Sequence, residues 1–161
     1  MSYQMSKRII SIGFNLLNIL LGGHLPPFGC ACVIVEQEGR YLVLERPDGS
    51  LAFPGGFSRW HEHPVQTAMR EGHEETGLFL EVGDVITVYP GITQRLDDMS
   101  TITIIYQAKV VGGSLRPTAE GQPYWFDEQT IREKSNHYYA GMLDDYHAWQ
   151  ALRRQVSTVH R

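Results

Sequence analysis

Along the chain, apolar runs alternate with short polar or glycine-proline breaks, and the period of each run decides what it predicts. From Ile9 to Leu21 the residues are apolar except for Ser11, Asn15 and Asn18, which with Gly22 recur at helical spacing as a weakly polar stripe. That pattern predicts an amphipathic helix whose wide apolar face is covered by the domain's own core or by a second subunit. Gly22-Gly23-His24-Leu25-Pro26-Pro27 ends it, because Pro-Pro forbids helix continuation. Cys30 to Val35 and Tyr41 to Leu44 then read as strands joined by a hairpin turn over residues 36–40. The loop 46–50, a strand-like Leu51-Ala52-Phe53 and a break at Pro54-Gly55-Gly56 follow.

The segment Pro64 to Thr76 carries a proline suited to a first helical turn, and Gly77 stands where a helix C-cap is expected. Val82 to Tyr89 and Ile102 to Val111 are rich in Val, Ile, Thr and Tyr and read as strands around the loop 93–100. Tyr124-Trp125-Phe126 is the expected last strand. Beyond it Met142, Leu143, Tyr146, Trp149, Leu152 and Val156 recur every three or four residues, which predicts a C-terminal amphipathic helix. Strands mixed with helices imply an α/β domain, a mixed sheet with helices on its faces. The expected division is a helical arm and linker over 1–27 and one globular domain over 28–161.

At 161 residues the chain suffices for one domain with a proper core, without disulfides or a structural metal. A net charge of −4 excludes a nucleic-acid polymer as main ligand, since backbone binding needs clustered Lys and Arg. Cys30 and Cys32, two apart on a strand, face the same side and form neither a disulfide nor a zinc site. Lys7 and Arg8 before an apolar run superficially resemble a secretory signal. The run is too short to span a bilayer, and no small-residue cleavage site follows it. A cytoplasmic protein without stable membrane insertion is therefore expected, with surface anchoring by the helix as the alternative.

Glu71, Glu74 and Glu75 lie three and four residues apart on the central helix, so their carboxylates share one face. Like-charged pairs at this spacing destabilise a helix by roughly 0.2–0.5 kcal/mol each unless a cation sits between them. Hard oxygen donors suit Mg2+ or Mn2+, which keep waters and take substrate phosphates as further ligands. Three glutamates alone would read as a solvated helix face; their context changes that reading. Pro54-Gly55-Gly56 lets backbone approach a ligand without side-chain bulk, and Arg70 sets a fixed positive charge beside Glu71.

These residues resemble the Nudix family signature, in which a glycine, a glutamate, an Arg-Glu pair, a Glu-Glu pair, a glycine and an aliphatic residue stand at fixed spacing. Gly56, Glu62, Arg70, Glu71, Glu74, Glu75, Gly77 and Leu78 all fall in register. Gly72 departs from it, standing where the family usually has an aliphatic side chain. The resemblance implies a Nudix-like α/β/α sandwich and a pyrophosphohydrolase that uses Mg2+ or Mn2+. It implies that Glu71, Glu74 and Glu75 bind metal, that Arg70 holds Glu71, and that Gly55 and Gly56 border the substrate. Glu120, in a later loop, resembles a further ligand of the family and with Glu71 is a candidate general base; Asp97 and Asp98 compete for that role. Arg46 resembles a position that faces substrate phosphates. His61, His63 and His73 crowd the signature without occupying any of its positions.

The expected reaction is in-line attack of water on the diphosphate of a nucleoside diphosphate derivative, a nucleotide sugar or ADP-ribose. Relatives specific for ADP-ribose tend to carry a proline about sixteen residues after the signature, where this chain has Gln94. The alternatives are a nucleoside triphosphate pyrophosphohydrolase that cleans nucleotide pools, and a non-catalytic nucleotide sensor on the same fold. A homodimer formed through the N-terminal helix is the expected assembly.

Overall fold

The computed structural model describes residues 3–159; the outermost two residues at each end, and the side chains of residues 3, 4, 6, 7 and 157–159, lie outside the described residues. Helix α1 (Tyr3–Leu20) precedes strand β1 (Phe28–Gln37), whose interior is continuously buried from Cys30 to Val35. A two-residue turn, Glu38-Gly39, has both residues at positive φ (53° and 75°), the geometry of a tight right-twisted hairpin, and leads into β2 (Arg40–Glu45). Then come β3 (Leu51–Ala52), β4 (Gly55–Phe57), α2 (Pro64–Thr76), β5 (Leu78–Gly91), β6 (Thr101–Gly113), β7 (Gln122–Asp127), α3 (Glu128–Lys134) and α4 (His137–Val159).

Strand β1 organises the sheet. It runs parallel to β6, which pairs antiparallel with β5 at the edge, and on its other side it pairs antiparallel with β4. Past the hairpin, β2 carries β3 and β7, both antiparallel. Alternation along β1 and β2 divides the core in two, because successive side chains point to opposite faces. Ala31, Val33, Val35 and Leu42 pack with Ala68, Leu78 and Leu80 on the α2 side. Cys32, Ile34, Tyr41 and Val43 pack with Ile131, Met142, Leu143 and Tyr146 on the α3–α4 side. This is the α/β/α sandwich.

Helix α2 begins where His63 caps it: the Val65 N–H donates to His63 Nδ1 at 3.3 Å, and the His63 N–H donates to Gln66 Oε1 at 2.9 Å. It ends at Gly77, in the left-handed conformation (φ 80°), whose N–H donates to the His73 carbonyl at 2.8 Å. Gly72 has a packing reason: a Cβ there would lie 2.5 Å from Leu80 Cδ1, so the helix sits down on β5.

Three expectations change. Pro54-Gly55-Gly56 is more than a break between elements, because Gly55 and Gly56 are paired in β4 opposite Cys32 and Ala31. The C-terminal helix starts at His137, and the short α3 before it, capped by Asp127 Oδ1 accepting from the Thr130 N–H at 2.8 Å, has too few turns for periodicity to reveal.

The third concerns α1. The domain's core does not cover its apolar face; the helix docks by its polar stripe. Ser11 is 3% exposed, while Asn15 Nδ2 donates to the carbonyls of Leu96 and Asp98 at 2.9 and 2.7 Å, and Asn18 Oδ1 accepts from the Leu25 N–H at 2.9 Å. Ile9, Ile10, Leu16, Leu17, Ile19 and Leu20 face outward, between 49% and 81% exposed. The loop carbonyls are unpaired backbone acceptors that only polar side chains satisfy, which explains the inverted docking. Among the described residues no helix is long and apolar enough to cross a membrane.

Candidate active site

Between β1, β4, α2 and the start of α4 lies a cleft of about 530 Å3. Gly55, Gly56, Arg46, Arg70, Glu71, Glu74, Glu75 and Glu120 all line it, so every residue read as a site candidate, apart from the two aspartates, converges here. Cys30 and Cys32 form part of its β1 wall, on one face of the strand and not in a disulfide.

Arg70 organises the acidic helix. Its Nε and Nη2 donate to both oxygens of Glu62 at 2.7 and 2.8 Å, its Nη1 to Glu71 Oε1 at 2.7 Å and Glu74 Oε2 at 3.0 Å, and its Nη2 also to the Phe57 carbonyl at 3.0 Å. Such two-point pairing fixes direction as well as charge. Glu62 also accepts from the Arg59 N–H and the Thr67 hydroxyl, both at 2.9 Å. The Arg70 guanidinium, with these donors, holds its carboxyl at about 2. Glu62 matched the family pattern without an assigned task; the structure makes it the anchor of Arg70. Its signal in the sequence is only a complementary charge eight residues upstream.

The carboxylates behave differently from one another. Glu75, 7% exposed, receives the Gly55 N–H on Oε2 at 2.8 Å. Burial raises its pKa, Glu120 and Glu71 nearby raise it further, and the Gly55 N–H opposes them. Glu71 is raised as well, by burial first and by Glu74 and Glu120, with Arg70 opposing. Glu74 leans to the rim, where Arg59 Nη2 donates to it at 3.1 Å. The three helix carboxylates therefore do not converge on one point: among the described residues no group of three His, Cys, Asp or Glu is drawn together tightly enough to hold an ion. Glu120, from the loop before β7, comes to Glu75 instead.

The donor set nevertheless fits a hard divalent cation. It consists of carboxylates lining one cleft, where Glu120 with Glu74 disfavours the charge of Glu71 and Glu120 with Glu71 that of Glu75, and that repulsion is what a cation relieves. The diglycine strand makes the room. A Cβ on Gly56 would fall 2.6 Å from Glu71 Cδ, and one on Gly55 would fall 2.4 Å from the Ala31 carbonyl oxygen.

Arg46 follows β2 and donates from Nη2 to the Tyr139 hydroxyl at 3.3 Å. Tyr138 and Tyr139, at the start of α4, close the cleft opposite α2; no motif marked them. Asp97 and Asp98 are absent from its lining and face a neighbouring cavity. Of the histidines, His61 is exposed, His63 caps α2, and His73 stacks on Phe79 with ring centres 4.6 Å apart.

A sandwich with an acidic, arginine-braced helix laid against a diglycine strand defines a hydrolase of the Nudix class. The family model described as the NUDIX domain matches residues 25–146. A MutT-like protein of Streptomyces ambofaciens is 31% identical over 117 residues, 71% of this chain and 73% of that one. An ADP-ribose pyrophosphatase of Methanocaldococcus jannaschii is 27% identical over 131 residues, 79% of this chain and 77% of that one. A solved NUDIX hydrolase from Nitrosomonas europaea superposes with a TM-score of 0.68 at 23% identity, covering 76% of this chain and 90% of that one, which shows the shared fold. The chain belongs to the Nudix family of hydrolases.

Proposed function

We propose that the protein is a metal-dependent pyrophosphohydrolase acting on nucleoside diphosphates linked to a second group, of the nucleotide-sugar or ADP-ribose type. The observation that carries this reading is that Glu75, held by the Gly55 N–H and close to Glu120, lines the same cleft as Arg46. Glu71, Glu74, Glu75 and Glu120 would hold Mg2+ or Mn2+. The bound ion would supply neutralisation of the diphosphate charge and a water made more acidic. Arg46 binds a phosphate oxygen from the tyrosine side, and Gly55 and Gly56, lacking side chains, leave room in the cleft for the substrate. Arg70, fixed by Glu62, keeps Glu71 in place. Glu71 or Glu120 accepts the proton of water as its oxygen bonds to one phosphorus; the bridging oxygen leaves on the other phosphate, giving two monoesters. The M. jannaschii relative, named an ADP-ribose pyrophosphatase, supports a diphosphate-linked substrate.

The test is turnover of nucleotide sugars, ADP-ribose, dinucleotides and nucleoside triphosphates with Mg2+ or Mn2+, products identified by mass. A nucleoside monophosphate plus a sugar phosphate is expected. Pyrophosphate release from triphosphates alone would replace this reading with the pool-cleaning one. Nucleotide binding without metal-dependent turnover would make the protein a sensor.

The assembly we propose is a homodimer through the outward face of α1. Met5, Ile9, Ile10, Ile12, Leu16, Leu17, Ile19, Leu20 and Leu21 are exposed there. At roughly 100 Å2 each they present on the order of 900 Å2 per chain, above the largest patch of a typical monomer and near the roughly 800 Å2 per partner of a stable interface. Sedimentation should give a dimer that Leu17→Asp splits. A monomer that instead co-sediments with phosphatidylcholine vesicles would overturn it in favour of a lipid surface.

A further inference from the structure

Beside the catalytic cleft lies a second cavity, also about 530 Å3, and the two share Arg46, Phe57, Tyr138 and Tyr139 as a common wall. Its far side is built from the N-terminal helix and the segment between β5 and β6: Arg8, Ser11, Arg95, Asp97, Asp98 and Met99. The wall and the roof are both braced. The Tyr138 hydroxyl donates to Thr103 Oγ1 at 3.1 Å, and Arg46 bonds Tyr139. Asn15 ties α1 to the backbone carbonyls of Leu96 and Asp98. Asp97 takes two bonds of 3.0 Å from Arg95 and lies 3.8 Å from Arg8 Nε.

The chemistry of this chamber is mixed. A site for a terminal phosphate would be dominated by cations, but here two carboxylates stand among the arginines, and a phosphate would meet Asp97 and Asp98 at close range. A neutral polyol suits it, because each hydroxyl both donates to a carboxylate and accepts from a guanidinium, while tyrosine rings take the apolar face of a sugar. Volume agrees, since a cavity of this size holds a monosaccharide with its bound waters.

We infer that this second chamber binds the sugar joined through the diphosphate, with Asp98 and the Arg8–Asp97–Arg95 cluster as its specificity determinants. The inference rests on the pyrophosphohydrolase reading and narrows its substrate to one carrying a polyol beyond the anhydride. It also gives the N-terminal helix a task in the site: Arg8 and Ser11 line the chamber, while the outer face is left for assembly.

The experiment compares ADP-ribose and UDP-glucose with the methyl ester of ADP, which keeps the anhydride and lacks the sugar. Two variants of the full chain are used, Asp98→Ala, which removes an acceptor, and Met99→Trp, which fills the cavity. Asp98→Ala should raise KM for at least one sugar substrate about 10- to 100-fold, the scale of losing hydrogen bonds to a charged group, and Met99→Trp should raise it in the same direction by excluding the sugar, each with kcat changed less than about threefold. The shift on the methyl ester should be at least about tenfold smaller. Equal shifts on all three substrates, or a wild-type enzyme that prefers the methyl ester, would overturn the sugar assignment while leaving the hydrolase reading intact. Absence of turnover on all three would instead count against the hydrolase reading. In that case calorimetry with the α,β-methylene analogue of ADP-ribose still tests the chamber: wild type should bind it at least about tenfold more tightly than Asp98→Ala, and equal affinity would overturn the inference.

Discussion

Replacing Glu62 by glutamine tests how the acidic helix is held. The Glu62 and Arg70 side chains are 13% and 15% exposed and meet through two bonds of 2.7 and 2.8 Å, so solvent screens the pair little. The Glu62 carboxyl lies at about 2 against an ordinary 4.5, a difference worth about 3 kcal/mol of stability by linkage. The sign follows from the depressed folded value: the contribution is complete above pH 4.5 and is lost as the pH falls toward 2. Urea unfolding of wild type and Glu62→Gln should therefore differ by about 3 kcal/mol at pH 7, nearly the same at pH 6, and about 2 kcal/mol at pH 3.5. A gap under 1 kcal/mol, or one independent of pH across that range, would mean that the pair behaves like an exposed surface bridge and does not anchor Arg70.

Other substitutions test the site more directly. Glu71→Gln and Glu75→Gln should each lower turnover at least about a hundredfold with the fold retained by circular dichroism; if both stay within a fewfold of wild type, the site is misassigned. Gly55→Ala and Gly72→Ala separate backbone from side-chain crowding. At Gly55 the new Cβ meets the Ala31 carbonyl and Cys32 Cα at 2.4 and 2.6 Å, so thermal denaturation should show a loss of about 2 kcal/mol or more. At Gly72 it meets only the movable tip of Leu80, and the gain of about 1 kcal/mol in helix propensity offsets the rotamer shift, leaving stability within about 1 kcal/mol. Asn15→Leu should free α1, seen as faster limited proteolysis between Leu21 and Pro27.

What was legible in the sequence was whatever had a period or a fixed spacing. Helix α2 announced both ends through Pro64 and Gly77, and the glutamate ladder followed from its 3.6-residue turn. Strand β4 was hidden because its two glycines carry no side-chain pattern; they are there since β1 and the Glu71 carboxylate leave no room for a Cβ. That the core leaves the apolar face of α1 uncovered was hidden for a related reason. Periodicity finds which residues share a face, but whether that face turns inward depends on unsatisfied carbonyls at Leu96 and Asp98, eighty residues away. Tyr138 and Tyr139 entered the cleft the same way, by tertiary placement, and Asp97 and Asp98 left the catalytic candidates because the loop turns them toward α1.

The central claim is that the carboxylates of α2 and the Glu120 loop gather a hard cation where a diphosphate docks. Anomalous diffraction from a crystal grown with excess Mn2+ tests it most directly. A manganese peak within bonding distance of Glu75 and at least one of Glu71, Glu74 and Glu120 is the expected result. An empty cleft, with those side chains still turned to Arg59, Arg70 and Gly55, would contradict it.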